Sequence, residues 1–349
     1  MNQDRIRIIF VSKNSATEGP SVQGIVQATQ DMEIVGTAKE MKTGLDLVRT
    51  LSPDIVLLED RQDLVEFTVQ ARKISSHAGI ILISESKEPT GAKRIVDALA
   101  VGAFDVVPGL ETSHTVSNLL LSKIRCCSIK QYSRLAQISR PKANIAPAPV
   151  PRLKGESKFD AILIGVSTGG PEALVTLLSG LHPSTRIPIV IVLHMPKEFT
   201  GAMAAALDRK CPIRVSEAQD GEPLQPGRVY LAPGGRHCTL ERSPENLPRL
   251  VLNDAPPDNG CRPSVNVLFR SACPVLGSRT LAIVLTGMGS DGTNGAIEIK
   301  KSGGAVMVQD EQSSVVWGMP GSVVRAGIAD EIVPLGDIAN RIYELVGGG

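Results

Sequence analysis

Residues Asp160–Leu174 read DAILIGVSTGGPEAL, and this stretch decides the fold. Asp160–Val166 reads as an apolar run without alternation, the pattern of a strand buried on both faces of a parallel sheet. The run meets Ser167-Thr168-Gly169-Gly170, and Pro171 then opens a helical segment to about Leu181. Proline suits that place because its missing N–H costs nothing in a first helical turn. Strand, glycine turn and helix together make the repeating unit of an α/β fold.

The same grammar continues outward. Ile187–Leu193, Thr280–Thr286 and Ala305–Gln309 read as further buried strands, with a helix at Asn294–Lys301. Between them, Gly227–Asn253 carries short runs (Val229–Ala232, Cys238–Glu241, Arg249–Leu252) broken by Gly and Pro, which predicts an antiparallel β-hairpin excursion beside the sheet. Upstream, Arg5–Val11, Glu33–Gly36, Asp54–Leu58, Gly79–Ser84 and Phe104–Val107 alternate with amphipathic segments such as Lys42–Leu51 and Arg94–Val101. Five such units predict a second parallel sheet of flavodoxin-like size. The expected class is therefore α/β, with a flavodoxin-like domain at 1–126 and a doubly wound parallel-sheet domain at 159–349. The stretch 127–158, rich in Pro, Ala and basic residues towards its end, reads as an extended linker.

Bulk properties agree. A chain of 349 residues suits two cores better than one. A net charge of +1 offers no electrostatic case for nucleic acid. The apolar runs are too short to cross a bilayer, and the opening MNQDRIRIIF lacks the pattern of a signal peptide. The six cysteines form no C-x-x-C pair, so a reduced, cytoplasmic setting is expected, without a structural metal site.

Gly165-Val166-Ser167-Thr168-Gly169 fits the G-x-S-x-G pattern in the context it requires, a tight strand-to-helix turn that lifts the serine oxygen at the sheet edge. It lacks the spacing and the lysine of the nucleotide-binding glycine loops. His194 ends the next apolar strand, in VLHMP, and is a candidate general base. Asp291, in TGMGSDG after another apolar strand, is a candidate carboxylate to orient it. Each has a plainer reading: a tight turn, a packed histidine, an acidic cap before Thr293. Three suitable residues at the carboxyl ends of three buried strands favour the chemical one. Their order along the chain differs from the Ser, Asp, His order of the α/β-hydrolases, so a different fold is expected to carry them.

From Asp160 to about Val346 the chain resembles the catalytic domain of the chemotaxis protein-glutamate methylesterases. The resemblance rests on IGVSTGGPEAL, VLHMP, YLAPGGRH, CRPSVNVLFRSA, VLTGMGSDG and SVVWGMPGSV, which are spread over the whole second domain. It implies Ser167 as nucleophile, His194 as base, Asp291 as the orienting acid, and the backbone N–H groups of Met288 and Thr168 at the oxyanion. It also implies hydrolysis of glutamyl γ-methyl esters on methyl-accepting chemoreceptors, without a cofactor, and in many members glutamine deamidation as well. Two positions depart from the family's usual residues, Asn266 where an acid is common and Cys261 where histidine is common. Both read as tuning or surface differences.

Family members of this layout carry a phosphorylatable receiver in front, and PDIVLLE and ALAVGAFDVVP within Ile6 to about Ile124 resemble one. A receiver's chemistry needs an acidic pair and an aspartate around Mg²⁺, with a hydroxyl and a lysine for the phosphoryl oxygens. Here the acidic pair falls on Ser12 and Lys13, the phosphoacceptor on Glu59 and the lysine on Gly109, leaving only the hydroxyl of Ser84. Asp60 is an off-register acid without metal ligands. The expectation is a pseudo-receiver that takes no phosphoryl group and docks on the esterase, a chemotaxis kinase or another signalling protein. The rival expectation for the whole chain is a non-catalytic signalling scaffold, or a serine hydrolase of another protein ester or amide.

Overall fold

Short β-branched and leucine-rich runs form the strands, and the amphipathic stretches between them return as helices. The computed structural model describes residues 5–13, 22–84, 88–109, 114–138 and 158–346. The chain divides into two compact units, Met1–Ala146 and Pro147–Gly349.

In the first unit the order is β1 (Ile6–Val11), α1 (Val22–Gln27), β2 (Met32–Ala38), α2 (Met41–Leu51), β3 (Ile55–Glu59), α3 (Leu64–Ile74), β4 (Gly79–Ser84), α4 (Pro89–Ala100), β5 (Asp105–Pro108) and α5 (His114–Ile138). The five strands pair in parallel in the order β2-β1-β3-β4-β5, the flavodoxin-like winding expected from the sequence. Ile55, Val56, Leu57 and Leu58 are all fully buried, which is why β3 carries no polar alternation.

Part of the stretch expected as a linker is helical. Residues 127–138 belong to α5, because Lys130, Gln131, Arg134, Leu135, Ala136 and Gln137 are good helix formers and no proline intervenes before Pro141. Once nucleated, a helix extends cheaply through such a run. Residues 139–157 of the expected linker lie outside the described residues.

In the second unit the order is β6 (Ala161–Val166), α6 (Gly170–Ser179), β7 (Ile189–Leu193), α7 (Lys197–Asp208), β8 (Arg214–Glu217), β9 (Arg228–Leu231), β10 (His237–Arg242), β11 (Pro248–Asn253), α8 (Val265–Leu276), β12 (Thr280–Val284), α9 (Thr293–Lys301), β13 (Ala305–Gln309), α10 (Met319–Arg325), β14 (Glu331–Val333) and α11 (Leu335–Val346). Seven strands form one parallel sheet in the order β14-β13-β12-β6-β7-β9-β8. The hairpin is smaller than expected. Among the strands of the described residues it consists of β10 and β11, whereas β9 joins the main sheet between β7 and β8. The hairpin presents Cys238, Leu240, Leu250 and Leu252 to the core shared with Leu268, Phe269 and Ala272 of α8.

Winding runs outward from β6 in both directions, to β7, β9 and β8 on one side and to β12, β13 and β14 on the other. The switch therefore lies at β6, and open α/β sheets bind their ligands at such a point, outside the carboxyl ends of the strands.

Candidate active site

Ser167 follows β6 directly and sits between its two neighbouring strands. Its N–H donates to the Thr286 carbonyl (3.0 Å) beyond β12, while on the other side the His194 N–H donates to the Val166 carbonyl (3.1 Å). Val166 pairs with Leu193 in register, so Ser167 and His194 occupy the next positions on adjacent strands. Gly169 takes φ +76°, a conformation that lets the turn close before α6 begins. A side chain at Gly287 would reach within 2.8 Å of Ser167 Cβ and 2.4 Å of Met319 Sδ, so only glycine lets the TGMG loop approach the serine.

Three elements hold Asp291, which is 4% exposed. Its Oδ2 accepts from the Val265 N–H (2.8 Å) and its Oδ1 from the Asn266 N–H and the Ser264 hydroxyl (both 2.9 Å), at the start of α8. The Gly292 N–H adds a further bond to Oδ1 (2.9 Å). His194 Nε2 lies 2.8 Å from Oδ2. An ionised carboxylate only accepts, so Nε2 carries a proton, and when the ring is neutral its lone pair is on Nδ1. In the chymotrypsin-type arrangement the opposite nitrogen faces the carboxylate.

Burial works against charge on both groups. At His194 it lowers the pKa, but the hydrogen bond that the ring donates to Asp291, the Cys261 sulfur and the negative charges nearby outweigh it, and the value rises to about 9. At Asp291 burial raises the pKa, but the His194 hydrogen bond and charge, with the Asn266 and Val265 N–H groups, hold it below the usual carboxylate range.

The structure thus brings His194 and Asp291 into contact and sets Ser167 beside them. Among the described residues no hydrogen bond joins the Ser167 hydroxyl to His194; such contacts tighten when substrate binds. Among the same residues the N–H groups of Thr168 and Met288, the expected oxyanion donors, have no hydrogen-bond partner. Neither departure from the family pattern is a simple surface difference. Asn266 is 1% exposed, and its Oδ1 accepts from the Gly292 (3.0 Å) and Gly295 (2.8 Å) N–H groups at the start of α9. Cys261 Sγ lies 3.9 Å from His194 Nδ1. Ser264 and Asn266 escaped the sequence reading as site residues, although both lie in the CRPSVNVLFRSA block. His237 is fully buried, with both ring nitrogens hydrogen-bonded to backbone groups of Pro256 and Ser264, and is a packed histidine.

In the first unit, Ser12, Glu59, Ser84 and Gly109 gather at the carboxyl edge of the sheet. The Ser12 hydroxyl donates to Glu59 Oε2 (2.5 Å), and the Gly109 N–H to the Ser84 carbonyl (2.6 Å). Lys13 is exposed. Asp60 is paired with Arg94 at 3.2 Å. Among the described residues, the grouping of His, Cys and acidic side chains able to hold a metal ion is His194, Cys261 and Asp291; none lies at this edge.

Comparison with known proteins agrees with this architecture. The CheB methylesterase family model matches residues 162–342. A protein-glutamate methylesterase/protein-glutamine glutaminase of Nocardioides sp. is 38% identical, over 97% of this chain and 94% of its own. One of Nitrosomonas europaea is 36% identical, over 98% of this chain and 97% of its own. Among solved structures, the Thermotoga maritima CheB methylesterase catalytic domain is 40% identical, covering 54% of this chain and 99% of its own with a TM-score of 0.53. Matched along nearly its full length, and over the whole of the sheet that carries Ser167, the chain belongs to the CheB methylesterase family.

Proposed function

We propose that this chain hydrolyses glutamate γ-methyl esters on the cytoplasmic helices of chemoreceptors, with Ser167 as nucleophile. The observation that carries this reading is the 2.8 Å His194–Asp291 bond beside Ser167 at the switch point. Ser167 Oγ attacks the ester carbonyl while His194 Nδ1 takes its proton, and Asp291 stabilises the imidazolium that results. The Met288 and Thr168 N–H groups, with the start of α6 behind them, face the charge that develops on the carbonyl oxygen. His194 then gives the proton to departing methanol, and water cleaves the acyl-enzyme by the same steps. With ammonia as the leaving group the sequence deamidates glutamine, the second activity in the relatives' names.

The first unit acts as a pseudo-receiver. Where a receiver gathers acids around Mg²⁺, a hydroxyl is tied to Glu59 and an exposed lysine follows it. Regulation therefore passes through docking to a protein partner and not through a phosphoryl group. A non-catalytic scaffold would have no use for a buried, five-fold-bonded carboxylate aimed at a histidine.

The test is methanol release from a methylated receptor fragment by the full chain and by Ser167→Ala. Loss of the nucleophile is expected to lower the rate by a factor on the order of 10⁶, as in a serine protease stripped of its serine. Equal rates in the two proteins would rule the reading out.

A further inference from the structure

Cys261 takes no part in the ester chemistry, yet its sulfur lies 3.9 Å from the nitrogen that must act as base. One donor atom from each of His194, Cys261 and Asp291 lies within 4.8 Å of the other two. The three are not equivalent. Both Asp291 oxygens are taken up by Ser264, Val265, Asn266, Gly292 and His194, so Asp291 serves as the outer partner of the ring. A carboxylate on the far ring nitrogen is what metal-bound histidines usually have, since it fixes the tautomer and makes the free nitrogen a better donor.

That leaves His194 Nδ1 and Cys261 Sγ facing each other. In a tetrahedral zinc site, with Zn–S of about 2.3 Å and Zn–N of about 2.0–2.1 Å, sulfur and nitrogen stand about 3.6 Å apart. The observed separation is a few tenths of an ångström wider. Cys261 is half-buried whereas Asp291 is buried, which leaves the sulfur side of the pair open to a cation with its waters. A thiolate with an imidazole favours zinc and its neighbours over magnesium or calcium.

We propose that Cys261 Sγ and His194 Nδ1 bind a zinc-class divalent cation, completed by water, which occupies the lone pair of the base and reversibly shuts the site. Binding converts the thiol to thiolate and requires a neutral ring, so it releases one proton to solvent where His194 is already neutral and two where it is charged; no electrons move. The cation is an inhibitor, not a cofactor, and the binding step holds whether or not the substrate is a methyl ester.

The full chain, stripped of metal with chelator, would be titrated with Co²⁺ and followed by the thiolate-to-cobalt absorption band, then with Zn²⁺ competing for the site. One equivalent should raise the band in the parent chain, and Cys261→Ser and Cys261→Ala, each checked for native circular dichroism, should lose it. Zn²⁺ should also slow methanol release in the parent chain, with recovery on adding chelator. Cys261→Ser should need at least about tenfold more Zn²⁺, since even outer partners of a metal are worth 10–100-fold in affinity. No band in the parent chain, or the same band and the same Zn²⁺ affinity in both variants, would overturn the proposal. If the chain proves inactive on the ester, the cobalt measurement still decides.

Discussion

At His194, burial and hydrogen bonding act in opposite directions, and for the general base proposed here the balance sets the working pH. Its pKa of about 9 means that the ring is mostly protonated near neutrality. A general base must be neutral, so the active fraction grows as pH rises and levels off above about 9. Measured with chelator present, kcat/KM should climb through neutral pH and flatten near that value. Cys261→Ala removes one of the contacts that raise the pKa, so the rising limb should move to lower pH. An unmoved limb would show that the sulfur has no hold on the ring. That Ser167, His194 and Asp291 would share one sheet edge was legible because each follows a buried apolar strand, and parallel strands bring their carboxyl ends together. The approach of Cys261 was not legible. It lies 67 residues from His194 in a loop that no hydrophobic period marks, and only the path of the chain between β11 and α8 delivers it.

Two helix starts are tied together at the element scale. The first N–H groups of α8 grip Asp291, which precedes α9, and Asn266 of α8 accepts two N–H groups at the start of α9. Helix N-termini favour negative charge and leave unpaired donors, so the exchange satisfies both ends. Asn266→Ala would strand the buried Gly295 N–H, whereas that of Gly292 keeps Asp291 Oδ1, and should cost about 1–3 kcal/mol. Thermal unfolding should show a lowered Tm, with a loss of kcat as Asp291 loosens. An unchanged Tm would mean that water or a rearranged turn replaces the amide. The sequence did not announce α8: Val265, Val267 and Phe269 favour strands, and Pro274 interrupts its last turn. Packing against the β10–β11 hairpin overrides those preferences. For the same reason β9 was grouped with the hairpin, because a four-residue apolar run does not say which neighbour it will pair with.

For the whole molecule, two parallel α/β sheets were readable from the alternation of elements, and the proposal that the first unit has lost its phosphoryl chemistry rests on single residues at fixed strand ends. That α5 includes residues 127–138 was not readable, because a polar helix and a polar linker differ only in the absence of breakers. If the first unit is a pseudo-receiver, the intact mass of the full chain should stay unchanged after incubation with Mg²⁺ and acetyl phosphate, and methanol release should not respond. Glu59→Asp alone should not restore a phosphate adduct, since Ser12 and Lys13 still stand where metal ligands are needed. A stoichiometric adduct on either protein would defeat this reading.

The return of the chain to lay β12 against β6 also has a consequence during synthesis. Ser167 and His194 leave the ribosome early, but Asp291 follows His194 by 97 residues. At about 5–20 residues per second that is a delay of roughly 5–20 s. Until then the serine strand has no β12 beside it, and the histidine has no carboxylate to orient it. On the proposed mechanism a chain that stops short of Asp291 should lose most of its activity, so methanol release would double as a reporter that the chain has been made and folded past the aspartate.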